Sequence, residues 1–488
     1  MLSNLFPYIL HSRLMILTLM QLYNTLTKSK VTFTPLEAGK VKLYTCGPTV
    51  YDYVHIGNLR SYVMADTLRR VLEANGLTVE HVKNITDVGH LTADDIAQGD
   101  SGEDKLVKKA LKEGKTPEDI AKFYTDYYHA TEEKLNIERA SQEPRATEYV
   151  EEMIAFIEGL ITKGHAYEKN GNVFFDVTSF KAYGALSGNT LDKLKVGARL
   201  EEHPDKRNPW DFALWLRAPE GHLMHWTSPW GEGYPGWHIE CSAMNLATLG
   251  TTIDIHTGGE DNIFPHHEAE IAQSECGNDA PFVRYWVHAR HLLVDGQKMS
   301  KSKGNFYRLE DILERGYSPM DLRMLYLGSH YRSQMNFTWD ALAQARKNKE
   351  TIYSVVERLQ QYANTQNKED RRGSEIERAI TEALHDDLNT PRALALVLEL
   401  CRELNQALDT SELIDADRHI EFFKKIYAVF GLKNEEMSIP EVVQQLLDER
   451  AKARAEKDFH RSDALRDEFL KHGFVVEDIP GGQRVRRK

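Results

Sequence analysis

The feature that most constrains this chain is a strand–helix–strand unit near its start. VKLYTC, from Val41 to Cys46, is short, apolar and rich in strand-favouring residues. The loop GPTVYDYVHIGN follows, and from Leu59 to Glu73 apolar residues recur at helical spacing until Asn75-Gly76 ends the pattern. LTVEHVKNIT then reads as a second strand. Two strands joined through a helix lie parallel, and a parallel sheet needs helices over its faces. Strand patterns resume at TTIDIH and WVHARHLLV, so the expected class is α/β with a parallel sheet.

The intervening sequence has a different character. Residues 98 to 140 are charged and helical in pattern, with few strand signals. Between about Glu143 and Pro235 one helix (Val150 to Lys163) precedes short strands and a Trp- and Pro-rich stretch, which reads as an insertion interrupting the sheet domain. After about Gly316 nearly everything is helical through Phe430. A polar linker from Leu432 to Ser438 leads to two helices and a GFVVEDIPGGQRVRR hairpin. A chain of 488 residues suggests about three domains. The expected division is a sheet domain over 21–316 with its insertion at about 143–235, a helical bundle over 317–432, and a small mixed α/β domain over 439–488. Residues 1–20 hold one Arg (Arg13), no acid and an apolar run from Leu14 to Met20, with no A-x-A-like site after it. They read as an over-long start or an ornamental extension rather than a working signal.

Composition excludes several classes. Hydrophobic residues at 41% and charged residues at 28% rule out a wholly disordered chain. No window approaches the 18 or so unbroken apolar residues of a membrane span, so no membrane role is expected. The net charge of −13 argues against a general polyanion binder, yet leaves room for one basic patch to contact nucleic acid. Four distant cysteines (Cys46, Cys241, Cys276, Cys401) point to a reducing, cytoplasmic setting rather than a disulfide framework.

Three constellations can carry chemistry. His55-Ile56-Gly57-Asn58 lies between strand and helix, where free N–H groups and the helix dipole favour a phosphate. Gly57 lets backbone approach a ligand, and His55 and Asn58 can donate to its oxygens. Taken alone, the segment fits an ordinary polar turn as well. It contains no G-x-G-x-x-G, so a dinucleotide is not indicated. Lys298-Met299-Ser300-Lys301-Ser302 follows a strand-like HLLVDG roughly 240 residues later; lysines on such a loop can close over polyphosphate. Pro265-His266-His267-Glu268-Ala269-Glu270 opens a helix on which His266 and Glu270 share a face. With Cys46 and Cys241 they make a plausible zinc set, although spacing alone fits buried, inert cysteines equally.

Together the three signals resemble one family, the cysteinyl-tRNA synthetase branch of the class I aminoacyl-tRNA synthetases. HIGN is similar to that family's HIGH-type signature with Asn in the fourth position, and KMSKS is intact. YTCGPTVYDYVHIGN, NITD, KRNPWDFALW, GWHIECSAM, FPHHEAEIAQSE, HYRSQMNF and DDLNTP also agree, from about residue 21 onward. The resemblance implies a Rossmann-type catalytic domain, a DALR-type bundle and a C-terminal anticodon-binding domain. It implies zinc held by Cys46, Cys241, His266 and Glu270, with His267 and Glu268 facing elsewhere and Cys276 and Cys401 outside the set. It implies catalytic roles for His55, Asn58, Lys298 and Lys301, and ATP contacts from His55, Gly57, Asn58, Asp261, Lys298 and Lys301. Thr86, beside Asp87 at a strand end, and Trp237 would line the substrate pocket. Gly259 and Asp261 resemble the class I G-x-D element.

The implied partners are ATP with Mg²⁺, L-cysteine and tRNA(Cys), for a monomer that forms cysteinyl-adenylate and esterifies the tRNA terminal ribose. From Arg450 to Lys488 there are eleven Lys/Arg and seven Asp/Glu, and the family's anticodon-reading positions fall near Arg454, Phe459, Asp463 and Asp478. A solvated charged helix with a basic tail would look similar. Two rival readings share parts of this pattern. A ligase joining cysteine to an amino sugar would share the front of the chain but not the basic C-terminal segment. An inactive RNA-binding paralogue would not be expected to keep both signatures and all four zinc positions.

Overall fold

The computed structural model describes residues 20–88, 91–93, 101–190, 203–300, 303–362, 371–410, 414–433, 440–479 and 482–487. The chain divides into two compact units, Met1–Lys433 and Asn434–Lys488.

In the first unit β1 (Gln21–Asn24) and β2 (Ser29–Thr32) form a hairpin. β3 (Lys40–Thr45) leads through α1 (Ile56–Ala74) to β4 (Thr78–Lys83), which pairs parallel to β3 from Lys40↔Thr78 to Thr45↔Lys83. The expected strand–helix–strand unit is therefore present. The helix starts about a turn before its apolar pattern, because His55 caps it. β5 (Leu91–Ala93) and β6 (Ser101–Asp104) then pair antiparallel, ahead of α2 (Lys105–Glu113) and α3 (Pro117–Lys134). These two short strands were not legible: SGED has no apolar alternation to announce one.

The interrupting segment builds its own layer. α4 (Val150–Thr162) precedes β7 (Ala166–Lys169), β8 (Asn172–Phe175), β9 (Phe212–Arg217), β10 (Trp226–Ser228) and β11 (Gly231–Pro235). Their antiparallel sheet has the order β10-β11-β9-β8-β7 and is separate from the parallel one. The chain then returns through α5 (Trp237–Leu249) to β12 (Ile253–Gly259), and through α6 (Glu268–Asn278) to β13 (Val283–Ala289). All four strands of the order β13-β12-β3-β4 run parallel. The chain leaves β3 for β4 on one side, while β12 lies on the other. This is the reversal of strand order at which open parallel sheets form a crevice at their carboxyl ends.

Two expectations need correction. WVHARHLLV is not one strand: β13 ends at Ala289, and β14 (Leu292–Val294) belongs to a different sheet with β15 (Gln297–Lys298) and β16 (Met335–Phe337). The second correction is small: the region after Gly316 is nearly all helical as expected, but β16 lies in it and pairs parallel with β14. Three residues are too few to show alternation, and the pairing is set by β14. Otherwise the region is helical, with α7 (Leu309–Glu314), α8 (Pro319–Leu327), α9 (Trp339–Gln361), α10 (Arg371–His385), α11 (Thr390–Asp409) and α12 (Ala416–Phe430). Among the described residues no helix is long and apolar enough to cross a membrane.

A buried charge network ties these helices to the sheet. Arg323 of α8 donates to the Asp66 carboxylate of α1, to the Leu135 carbonyl at 2.9 Å and to the Phe430 carbonyl at 2.6 Å. Arg70 also donates to Asp66 at 2.8 Å and to the Ala428 carbonyl at 2.9 Å. Gly431 follows α12 with φ of 62°, and a Cβ there would lie 2.1 Å from an Arg323 nitrogen. Only glycine suits both the left-handed backbone and the close approach.

The second unit holds α13 (Glu441–Ala455), α14 (Phe459–Lys471) and a hairpin of β17 (Phe474–Ile479) with β18 (Gly482–Arg487), as the sequence indicated. Val443, Phe469, Phe474, Val476 and Val485 form its core.

Asp66→Ala should strip buried Arg323 of its carboxylate, at a cost of about 3–5 kcal/mol. Calorimetry should show the melting midpoint falling by several degrees at neutral pH. Burial alone would raise the Asp66 pKa, but Arg323 and Arg70 hold it below the usual carboxylate range. A depressed folded-state pKa stabilises above the unfolded value of about 3.9. The gap between variant and parent should therefore be full above roughly pH 4 and narrow as pH falls further. Equal midpoints at pH 7 would contradict this account.

Candidate active site

A cavity of about 600 Å³ opens at the carboxyl ends of β3 and β12. Gly47, just beyond β3, donates its N–H to Asn84 Oδ1 at 2.8 Å, and a Cβ on it would fall 1.6 Å from the Asn84 carbonyl oxygen. Only glycine can follow Cys46 at this distance.

His55 and Asn58 organise the start of α1 before they meet any ligand. His55 Nδ1 accepts from the N–H groups of Gly57 (3.1 Å) and Asn58 (3.2 Å), and the His55 N–H donates to Asn58 Oδ1 at 3.2 Å. This reciprocal cap fixes the tautomer, because an accepting Nδ1 places the ring proton on Nε2. His55, Gly57 and Asn58 all line the cavity. A Cβ on Gly57 would meet the His55 ring at 2.9 Å and Met299 Cε at 3.0 Å. The two signature segments thus come together, with Met299 against Gly57. Lys298 lines the cavity too, and Ser300 N–H donates to Asn305 Oδ1 at 2.8 Å, which braces the loop. Lys301 lies outside the described residues.

On the opposite wall Asp261 is largely exposed and lines the cavity with Glu260 and His291. His291 Nε2 lies 2.8 Å from Glu260 and its Nδ1 3.1 Å from Asp261. Sequence reasoning missed His291, which lies between strands with no local pattern to mark it. Trp237 lines the cavity and stacks on His266 with centroids 4.4 Å apart. Thr86 is not among the lining residues: its hydroxyl donates to buried Glu240 at 2.9 Å, one layer behind. Asp87 is likewise occupied, accepting from the Thr147 N–H and hydroxyl at 2.9 Å.

Cys46 lines the cavity, and buried behind it Cys241 and His266 bring their donor atoms within 4.8 Å of one another and of Cys46. Cys241 Sγ lies 3.5 Å and Glu270 Oε1 3.0 Å from His266 Nε2. Around a tetrahedral zinc the corresponding S···N and N···O separations are about 3.6 and 3.3 Å, from Zn–S near 2.3 Å and Zn–N and Zn–O near 2.0–2.1 Å. Cys46, Cys241 and His266 therefore fit three zinc positions, and Glu270 fits as a fourth through its separation from His266. The orientation of the donors agrees. Glu270 Oε2 is held by His256 Nε2 at 2.9 Å, while buried Oε1 has no hydrogen-bond partner. His266 Nδ1 lies 3.0 Å from His238 Nδ1, so a proton shared there leaves Nε2 as a lone pair toward the sulfurs.

This cluster also attracts positive charge. Burial pulls the His266 pKa down, yet Glu270 and Cys241 raise it to about 10. Burial opposes ionisation of Glu270 as well, but His256 and His266 hold its pKa well below the usual range. A divalent cation would satisfy the same demand. His267, expected to face elsewhere, is buried in this cluster, 3.9 Å from Glu270 and bonded to His288 at 2.8 Å. Burial and neighbouring His256 push its pKa well down, so it packs as a neutral ring. Glu268 does turn away, accepting from Gly184 and Ser187 N–H groups at 2.8 Å. His238, His256 and His288 were missed because each sits on an apolar-patterned helix or strand where a core histidine is the ordinary reading.

In the second unit Phe459 is 63% exposed at the start of α14. Asp478 accepts from Arg450 (2.9 Å), Arg454 (2.8 Å) and Arg466 (2.6 Å), while Asp463 pairs with Arg466 at 3.5 Å. Against slight burial, hydrogen bonding and charge from Arg450, with Arg454 and Arg466, hold the Asp478 pKa below the usual range. Arg454 and Asp478 thus contact each other, leaving Phe459 and Asp463 as the open positions of the four.

A family model for the catalytic domain of class I (C) tRNA synthetases matches residues 32–347, one for the DALR domain residues 379–434, and one for the cysteinyl-tRNA ligase anticodon-binding domain residues 437–486. The chain is 43% identical to a cysteine–tRNA ligase of Chlorobaculum tepidum, across 96% of this chain and 99% of that protein. It is 42% identical to the one from Caldicellulosiruptor saccharolyticus, across 96% of this chain and 100% of that protein. Among solved structures it is similar in fold to Mycobacterium tuberculosis methionyl-tRNA synthetase in complex with methionyl-adenylate. The TM-score is 0.59 at 14% identity, over 87% of this chain and 96% of that one.

Proposed function

The chain belongs to the cysteine–tRNA ligases of the class I synthetases, and from that membership we propose that it activates L-cysteine with ATP and transfers it to the 3′-terminal ribose of tRNA(Cys). The observation that carries the reading is the meeting of Met299 and Gly57 over a cavity lined by Cys46, behind which Cys241 and His266 bring their donor atoms together with that of Cys46. A polyphosphate subsite and a soft-metal subsite then share one crevice.

The α1 N-terminus offers N–H groups and dipole to the ATP phosphates, with His55 Nε2–H and the Asn58 carboxamide as added donors. Lys298, with Lys301, stabilises the charge that develops on departing pyrophosphate; Mg²⁺ accompanies the ATP. The cysteine carboxylate attacks the α-phosphorus in line, the bond to pyrophosphate breaks, and the tRNA ribose hydroxyl then displaces AMP from the adenylate. Zinc at this cluster would bind a substrate thiolate and discriminate against a hydroxyl, which selects cysteine over serine. Trp237 fixes the His266 ring and walls the pocket, and Asp261 faces the ribose or amino group. Phe459, with Arg454, Asp463 and Asp478, forms the anticodon-reading face of a domain near 439–488. The enzyme acts as a cytoplasmic monomer.

Purified protein should exchange pyrophosphate into ATP with cysteine and not with serine, and should charge tRNA but no amino sugar. Exchange without tRNA charging would favour the amino-sugar ligase. Metal analysis should return about one zinc per chain, and Cys241→Ser should lower that content together with the preference for cysteine. Full selectivity in a zinc-free preparation would overturn the metal assignment.

Lys298→Ala should lower kcat for exchange by about 10²-fold, the scale of one lost preorganised donor, with little change in KM for cysteine. A loss confined to cysteine affinity would contradict the assigned role. Phe459→Ala should reduce kcat/KM for tRNA by about 5- to 150-fold, one base–aromatic stack being worth about 1–3 kcal/mol, and leave KM for cysteine unchanged. Unaltered charging would remove Phe459 from the anticodon contacts.

A further inference from the structure

A run of lysines in the first unit packs beside residues that line the cavity, and neither signature segment accounts for it. From Lys105 to Lys115 the chain carries five lysines and a single acid, Glu113, inside a protein of net charge −13. On α2 the buried side is Leu106, Val107 and Ala110, which leaves Lys108 and Lys112 exposed on the other face, with Lys115 exposed just past the helix end.

A run of lysines alone usually marks a solvated face. Two further observations distinguish this one. First, large apolar side chains stand open among the charges: Leu111 is 67% and Phe123 47% exposed, and Lys115 Nζ lies 5.6 Å from the Phe123 ring centroid. An exposed ring flanked by ammonium groups is the arrangement that stacks an unpaired base while its phosphates are neutralised. Second, the patch is packed onto the mouth of the main cavity. Tyr53, a cavity-lining residue, makes edge contacts with Phe123 (6.2 Å), Tyr124 (5.0 Å) and Tyr127 (4.7 Å). Lys109 reaches Asp52, another lining residue, at 3.7 Å.

We propose that the corner formed by α2 and the start of α3 is the docking surface for the acceptor arm of tRNA, with Lys108, Lys112 and Lys115 neutralising its phosphates and Phe123 stacking a base near its unpaired end. The proposal rests on the reading of tRNA as acceptor. Its occupant follows from charge and position: the acceptor arm is the polyanion whose end must enter this mouth. An acidic protein must select where a polyanion lands, and a local basic face does so by releasing condensed counterions only there.

The test uses full-length protein and a hairpin RNA carrying only the acceptor arm, so that anticodon contacts do not contribute. Combined Lys108→Glu, Lys112→Glu and Lys115→Glu should weaken hairpin binding at least 10-fold. The log–log salt dependence should become shallower by about 2 to 3, near 0.9 per lost phosphate contact. Cysteine-dependent pyrophosphate exchange should stay within about twofold of the parent, and Lys→Arg at the same three positions should keep hairpin binding within about threefold. Hairpin binding and salt slope equal to the parent would overturn the proposal, as would an equal loss of pyrophosphate exchange. A parent protein that exchanges pyrophosphate yet charges no tRNA would refute the functional reading instead, and the hairpin measurement alone would then decide the surface.

Discussion

Everything at the site depends on how closely the carboxyl ends of β3 and β12 are approached by their neighbours. The two strands pair directly, Thr257 opposite Thr45, and the chain departs from them in different directions. At two glycines beside the crevice, backbone is approached too closely for any side chain. At Gly47 a Cβ would collide with the Asn84 carbonyl, and at Gly258 it would come 2.7 Å from the His267 ring. Those close approaches let Cys46 and the His266–Glu270 turn reach the same few ångströms of space from opposite strands. An alanine at either glycine would push the donors apart before any change in their chemistry.

The donor cluster is also electrostatically costly. Glu270, His256, His266 and His267 are all fully buried. Charges removed from water cost several kcal/mol each unless paired. Glu270 Oε2 answers this by pairing with His256, while Glu270 Oε1, His256 Nδ1 and His267 Nε2 have no hydrogen-bond partner, and the first of these leaves a gap beside His266. A purely structural cluster would be expected to close that gap with another hydrogen bond. Stacking of Trp237 on His266 and of Trp286 on His256 (4.7 Å) holds the rings, so that donor direction is set by packing as well as by hydrogen bonds.

The sequence revealed the parts of this site that are written as local strings. HIGN between a strand and a helix is a cap whose chemistry follows from its position, and His266 with Glu270 announces itself by helical spacing. What the sequence could not show is the supporting layer. His238, His256 and His288 come from three separate elements, and only sheet order and helix packing bring them together. At Thr86 a strand end in a parallel sheet suggests a pocket, and what the sequence could not show is that its hydroxyl donates to Glu240. Asp387 in DDLNTP, one of the stretches that carried the family resemblance, has a structural role. It is buried and accepts from the Tyr23 N–H at 2.8 Å and from the Arg332 guanidinium at 2.6 Å, which makes that motif a bracket between segments and not a ligand contact. Strands of three residues were invisible for a plainer reason: alternation needs more length than β16 has.

The same helix that begins with the cap at His55 carries Asp66 and Arg70 farther along, and these meet Arg323 and the end of α12. One rigid element therefore spans from the His55 end of the crevice to the helical bundle. A flexible attachment would let the bundle tumble relative to the crevice, whereas buried guanidinium–carbonyl bonds at Leu135, Ala428 and Phe430 fix the end of α3 and α12 against α1 and α8 at once. For a substrate as long as tRNA a fixed geometry is the physical requirement, since contacts made far from the reacting ribose help catalysis only if they hold it within a fraction of an ångström of its target. Asp66 thus contributes to function through rigidity, by making the position of the bundle a property of the helix that also caps the active site.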